Sequence, residues 1–270
     1  MAATSRRSDI LDQQPEHIAH RAEEVGTERL RRSNLDIFIT GGVAGVEVSL
    51  GALAAMTVVG AALASVPGLP LYEALALGAL AFPVGFLFVI FGRSELFTEN
   101  FLIPIVALLN RERSLRSLLE LWALAWCGNM AGCLAMALLL SQSGAVGEPI
   151  LAGYSAYSEY KLALPPEAIF LSAVLAGIVM TVLTWLLLAV SDPVGKMLCI
   201  FGAGYLLFAA NLSHSIVGAA VLLVGYHLAG SGPLDVLTWM LLASLGNLVG
   251  GVGLVTVLRV TQVAERRRSQ

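Results

Sequence analysis

The sequence predicts an all-α integral membrane protein with six transmembrane helices, arranged as two inverted three-helix repeats whose second and fifth helices are broken. Three observations predict it. The chain has 270 residues, 57% hydrophobic and only 13% charged, where soluble domains carry about 25% charged residues. So few polar groups cannot coat a soluble globule. The apolar residues also fall in long blocks, several reaching the roughly 20 residues that span a bilayer core. Finally, two blocks are interrupted at corresponding places in the two halves, a pattern that points to a transport site near the bilayer midplane.

Residues 1–34 form a polar segment, expected on the cytoplasmic side. Ile18, Ala22 and Val25 recur there at i, i+4 and i+7 between charges, which predicts a short amphipathic helix at the membrane surface. The first dozen residues read as a tail. The segment has no short apolar core followed by a cleavage site, so no removable signal peptide is expected. Its helix is in position to plug or gate the inner mouth.

The transport domain is expected over residues 35–262. Its first apolar block covers residues 37–66 and closes at the turn Pro67-Gly68-Leu69-Pro70. A second block runs over 71–91, breaks at Gly92-Arg93-Ser94-Glu95, and resumes as Leu96-Phe97-Thr98-Glu99-Asn100-Phe101 as far as Leu109. Unwound, charged backbone at membrane depth is tolerated only where protein buries it or it lines a cavity. A third block covers 115–140. A polar stretch, 141–166, divides the chain. The second half repeats the pattern: a block over 168–190, a second from Val194 broken at Asn211-Leu212-Ser213-His214-Ser215, and a last over 237–258. The repeats therefore occupy about 37–141 and 168–260, and a basic tail occupies 263–270. The last helix of each half carries a related phrase, Gly128-Asn129-Met130-Ala131-Gly132 and Gly246-Asn247-Leu248-Val249-Gly250. Asn129 and Asn247 are placed to hydrogen-bond backbone freed at the breaks, and the glycines let helices approach closely.

Positive charge orients the bundle. With the N-terminus inside, 14 of the 16 Lys and Arg fall in inner segments, Arg111, Arg113, Arg116, Lys196 and Arg259 among them. Lys161 is then the lone outer cation, and Arg93 sits in the first break. Both termini are expected in the cytoplasm of a multi-pass protein, in a bacterial cytoplasmic (inner) membrane.

At the two breaks the sequence resembles the formate/nitrite transporter family over nearly all of residues 17–260. The resemblance rests on Leu96-Phe97-Thr98, His214-Ser215-Ile216, the two Gly-Asn-x-x-Gly phrases, and the spacing from Lys161 through Gly177 and Trp185 to His214. It implies an aquaporin-like fold, a homopentamer with one pore per protomer, and a small monovalent anion or its conjugate acid as cargo. It implies Thr98 in the loop that breaks the second helix and His214 as a lone pore histidine. It also implies Lys161 at the outer vestibule, Asn247 beside the second break, and Phe82, Phe86, Leu96 and Leu207 at apolar constrictions. Phe97 joins them on the expected substrate pathway.

His214 stands in an otherwise apolar run. An ionisable side chain inside a bilayer is costly and marks a substrate or proton path; the alternative is a satisfied buried imidazole. Lys161 is an electrostatic lure for anions or an ordinary solvated lysine. Glu47, Arg93, Glu95 and Glu99 put four charges at membrane depth. They form an ion-pair network holding the broken helix, for example Arg93 with Glu47 or Glu95, or they set selectivity or couple transport to protons, including a selectivity other than formate.

No catalytic cluster, metal-ligand spacing, cofactor motif or nucleic-acid signature is present. Cys127, Cys133 and Cys199 form no CxxC pattern, and His17, His20 and His227 have no ligand company. An enzyme is therefore disfavoured. A neutral-solute pore of aquaporin type would carry Asn-Pro-Ala at each break, where this chain has Leu-Phe-Thr and His-Ser-Ile. A non-transporting scaffold would leave two broken helices without a purpose.

Overall fold

A computed structural model describes residues 14–109 and 114–269. Arg6, Arg7, Arg111, Arg113 and the tail expected over the first dozen residues lie outside the described residues.

The described chain is helical throughout. Helix α1 (Pro15–Arg29) leads into α2 (Asn34–Ser65). The Ser33 side chain caps α2 by accepting a hydrogen bond from the Asp36 N–H at 3.2 Å. The second span is α3 (Leu71–Gly78) continued by α4 (Pro83–Gly92), with Pro83 at the first turn of α4, where its missing N–H costs little. A 3₁₀ turn (Phe97–Phe101) and α5 (Ile103–Leu109) complete it. Helix α6 (Leu115–Leu140) is capped by Ser114, and α7 (Glu148–Leu162) follows. The second half is α8 (Pro166–Ala189), α9 (Pro193–Ala209), α10 (Ser215–Gly225) and α11 (Pro233–Leu248). A π-helical stretch (Val249–Thr256) joins α11 to α12 (Val257–Ser269).

Among the described residues five helical spans are long and apolar enough to cross a membrane. The sixth crossing is the broken pair α9 and α10. Two differences from expectation have simple causes. The polar divider contains α7, whose Glu, Ser, Tyr and Lys residues mask a helix that packs its Tyr154 and Tyr157 face inward. The last helix runs well past the predicted block, because its charged end continues as solvent-exposed helix.

The packing is duplicated. Helix α2 lies along α6, and α8 lies along α11 and the π-helical stretch. At Gly45 an added Cβ would overlap the Asn129 carbonyl oxygen; at Gly177 it would overlap the Asn247 carbonyl oxygen. No larger residue permits the backbones to approach this closely. Each break begins at a left-handed, non-glycine residue, Arg93 (φ 57°) and Asn211 (φ 51°). Helix α1 packs against α5, α8 and α12 at the end of the bundle where α2 begins. Helix α7 covers the other end of α2.

Candidate functional site

Each break leaves a short extended segment whose backbone groups have lost their helical partners, and a buried unmet group costs several kcal/mol in an apolar medium, of the order of 2–7 kcal/mol. One asparagine per half meets the need. The Asn129 amide donates to the carbonyls of Gly41 (2.9 Å) and Glu95 (2.8 Å), and its Oδ1 accepts from the Phe97 N–H at 2.9 Å. The Asn247 amide donates to the carbonyls of Ala173 (2.8 Å) and Ser213 (3.0 Å), and its Oδ1 accepts from the Ser215 N–H at 2.9 Å. Each asparagine thus ties a break to the first helix of its own half, with the same three kinds of partner. The residue held between the two anchor points is Leu96 in one half and His214 in the other.

His214 is fully buried. Its Nδ1 accepts from the Val217 N–H at 3.2 Å, capping α10. A neutral imidazole carries its proton on the other nitrogen when one nitrogen accepts. Nε2 therefore donates to Thr98 Oγ1, 2.8 Å away. Thr98, also fully buried, makes no other hydrogen bond among the described residues, so its hydroxyl hydrogen is left uncommitted. The two breaks meet at this Thr98–His214 pair.

From His214 a run of rings leads toward the face that α7 covers. Phe86 lies 6.1 Å from the imidazole, Phe82 5.0 Å from Phe86, and Phe208 5.0 Å from Phe82, with Tyr157 stacked on Phe208 at 6.0 Å. Lys161 closes the run. Its Nζ lies 5.6 Å from the Tyr157 ring centroid and 5.9 Å from that of Trp239, and donates to the Asn211 carbonyl at 2.6 Å. Lys161 is fully buried. It is therefore no ordinary solvated loop lysine: it sits on α7, beside the second break. Leu96 and Leu207 are buried in the same core as Phe82 and Phe86. Phe208, Tyr157 and Trp239 were missed because, read along the chain, they look like packing aromatics.

At the opposite face a cavity of about 500 Å³ opens among α1, α4, the first break, α8 and α9. Arg29, Arg32, Arg93, Lys196, Glu28, Glu95 and Glu99 line it, with Val89, Ile103 and Thr184 at its walls. An ion-pair network does hold the broken helix, but not through Arg93. Arg29 donates to Glu95 (3.1 Å), to Asn100 Oδ1 (3.0 Å) and to Glu99 (3.4 Å). Arg32 pairs with Glu95 and Asp36 and donates to Thr40 Oγ1. Arg93 is exposed and forms no ion pair among the described residues. It ends α4 in the left-handed conformation and lines the cavity without pairing with Glu47 or Glu95. Glu47 makes no ion pair among the described residues; its Oε1 sits against Gly92 at the start of the break, in a groove with Leu50, Phe88, Phe91 and Met197. The basic residues nearest in sequence were the wrong partners; Arg29 and Arg32 reach the break because α1 folds back over it.

Phe97 and Asn247 serve the breaks rather than this cavity, Phe97 through its N–H to Asn129 in the first and Asn247 through its amide in the second. The Phe97 ring packs edge-on against Phe101 at 4.9 Å, and both amide hydrogens of Asn247 are used on carbonyls. Among the described residues no group of three or more His, Cys, Asp or Glu could hold a metal ion.

Residues 16–261 match a family model described as formate/nitrite transporter. The "Uncharacterized transporter YrhG" of Bacillus subtilis is 25% identical over 95% of this chain and 96% of its own length. The "Formate channel BtFdhC" of Bacillus thuringiensis is 28% identical over 89% and 92%. Among solved structures, an "FNT family ion channel" superposes with a TM-score of 0.80 at 19% identity, covering 91% of this chain and 98% of that one. A "Pentameric formate channel with formate bound" superposes at 0.69 and 17% identity, covering 85% and 97%.

Proposed function

Since the chain belongs to the formate/nitrite transporter family and is a multi-pass membrane channel or transporter, we propose that it moves a small monovalent anion of the formate class, with its conjugate acid as the species that crosses the narrowest part of the pore. The observation that carries this reading is the Thr98–His214 pair, a polar couple at the end of an otherwise apolar run of rings. We place the Arg29 face in the cytoplasm on the distribution of Lys and Arg. The location is a bacterial inner membrane and the assembly a homopentamer, with one pore per protomer; a pentameric formate channel of the same fold supports the pentamer.

The Lys161 ammonium draws an anion to the outer end of the ring run. Between Phe208, Phe82 and Phe86 the anion loses water, and desolvation disfavours a charged carboxylate or nitrite, so its affinity for a proton rises. A proton from the water on the outer side joins the anion, and the neutral acid crosses what the anion cannot. At the midpoint His214 fixes the Thr98 oxygen as an acceptor, and the Thr98 hydroxyl hydrogen remains to bond the passing acid. Beyond it the acid reaches the cavity of Arg29, Arg32, Glu95 and Glu99. The carboxylates there are paired with arginines, so they raise no net negative barrier to an anion.

Liposomes holding the purified protein test this with formate, nitrite, hydrosulfide, acetate, halides and water offered in turn. Weak-acid flux is expected to exceed halide and water flux. His214→Ala and Lys161→Ala are each expected to lower it by about tenfold or more, the scale of a lost positioned hydrogen bond or charge in a dry site. Water flux without weak-acid flux would favour a neutral-solute pore. Full activity of His214→Ala with loss in Lys161→Ala would remove the histidine from the path.

A further inference from the structure

Three carboxylates, Glu28, Glu95 and Glu99, line the cavity at the Arg29 end of the pore, and the two buried ones in the first break differ in what they have left to bond. Glu95 is spent. Its Oε1 accepts from Arg29 (3.1 Å) and from the Asn100 amide (2.7 Å), and its Oε2 accepts from Arg32. Glu99 is 6% exposed, yet one oxygen, Oε1, has no hydrogen-bond partner. The other, Oε2, has a single long contact, 3.4 Å to Arg29 Nη2. A buried carboxylate oxygen left unmet is costly and open to a donor. Glu99 is also the next residue after Thr98, so it stands one step along the chain from the pair where the two breaks meet.

We propose that Glu99 and Arg29 form a proton–anion exchange site at the inner mouth, a subsite for a monovalent oxyacid. The inference rests on the weak-acid reading above. A neutral acid arriving from Thr98 gives its proton to Glu99, forming an O–H bond on the carboxylate as the O–H bond of the acid breaks. Glu99, now neutral, no longer holds the Arg29 guanidinium through Oε2. The anion left behind takes the vacated place on Arg29 Nη2, and its charge replaces the one Glu99 has lost. Net charge in the cavity is the same before and after, so the exchange needs no new counter-ion in a confined space. The proton then passes from Glu99 to cavity water, the carboxylate re-forms its contact with Arg29, and the anion is displaced into the cytoplasm. Inward transfer releases one proton and one anion; the outward direction runs the same steps in reverse.

The charged and titratable groups around Glu99 fit this assignment. Around the same cavity stand Glu28 and Arg29 from α1, Arg32 from the link to α2, Arg93 and Glu95 from the first break, and Lys196 from α9. The α8 side, through Thr184, Leu187 and Leu188, contributes no charge. Among these carboxylates Glu28 is exposed and Glu95 is saturated by two arginines and Asn100, which leaves Glu99 as the buried one with a free oxygen.

The test uses full-length protein in liposomes, with formate as the probe and the pH on the Arg29 side varied while the other side is held fixed. Glu99→Gln keeps the shape and cannot take a proton. It is expected to lower formate flux by at least about tenfold, within the range lost with a positioned proton acceptor, and to flatten the dependence on pH at that side, while Glu99→Asp keeps a sloping profile. Infrared difference spectra on formic acid addition are expected to show a protonated carboxyl band in wild type that is missing in Glu99→Gln. Wild-type flux and an unaltered pH profile in Glu99→Gln would overturn the exchange. So would absence of that band from the wild type, a result that stands even if Glu99→Gln does not assemble. Wild-type protein that carries water but no weak acid would instead overturn the transport reading beneath it.

Discussion

At single residues, the two halves of the pore differ just where the fold repeats itself. Leu96 and His214 hold equivalent places between equivalent asparagine anchors, so the fold by itself does not ask for a histidine at either. Replacing His214 by leucine would cost α10 only the cap on Val217, whereas it would strip Thr98 of the donor that orients it. The same comparison isolates a strained residue. Arg93 and Asn211 end corresponding helices in left-handed conformation. Asparagine tolerates that region; a residue such as arginine gives up roughly 1–2 kcal/mol there. Because Arg93 is exposed and makes no ion pair among the described residues, Arg93→Gly is expected to raise stability in detergent by up to about 1 kcal/mol, the part of that cost glycine's own chain entropy does not cancel. A lowered denaturation midpoint would show that the Arg93 side chain contributes something the left-handed strain conceals.

Among elements, the packed pairs α2–α6 and α8–α11 set the two breaks in place, and they depend on glycine at the points of closest approach. An added methyl at Gly177 would overlap the carbonyl of Asn247, the same residue whose side chain holds the second break. Gly177→Ala is therefore expected to cost about 2–4 kcal/mol, in the range of overpacking with loss of a buried hydrogen bond, and to slow transport as well, because α11 cannot retreat without drawing Asn247 off Ser213. Thermal unfolding and flux measured on the same preparation check both; loss of stability with transport intact would separate the helix contact from the break. The spans, the breaks and the asparagine phrases could be read directly from the chain, because apolar length and the interruption of a helix are local properties. The aromatic run was half legible: Phe82 and Phe86 share a helix, but Phe208, Tyr157 and Trp239 arrive from α9, α7 and α11. The partners of Glu95 were illegible for the same reason. Arg29 and Arg32 are more than sixty residues away in sequence and are brought close only by the turn of α1 back onto the bundle, whereas Arg93, two positions away, makes no ion pair among the described residues.

For the molecule as a whole, the two mouths of the pore present charge in different ways. One relies on a single buried lysine, Lys161, wrapped by Tyr157 and Trp239; the other on four cations set against three carboxylates around a cavity of about 500 Å³. A buried lone charge acts at short range and is little affected by salt, while charges around an open, wet cavity are screened within about 8 Å at physiological ionic strength. The mouths should therefore respond differently to ionic strength, and Arg32 is the residue through which to see it. Arg32 pairs with Glu95 but is itself about one-fifth exposed at the cavity, so Arg32→Gln leaves Arg29 in place on Glu95 and Glu99 while removing the excess positive charge. Anion entry from the Arg29 side is expected to fall by a few-fold at low salt, as a steered on-rate does when its field is removed, and to converge on wild type at high salt. Entry from the Lys161 side is expected to change little. Initial rates in right-side-out and inside-out vesicles measure the two directions separately. An equal fall from both sides, insensitive to salt, would mean that Arg32 serves the pore only by holding Glu95 and the broken helix, and that the cavity's charge plays no part in gathering anions.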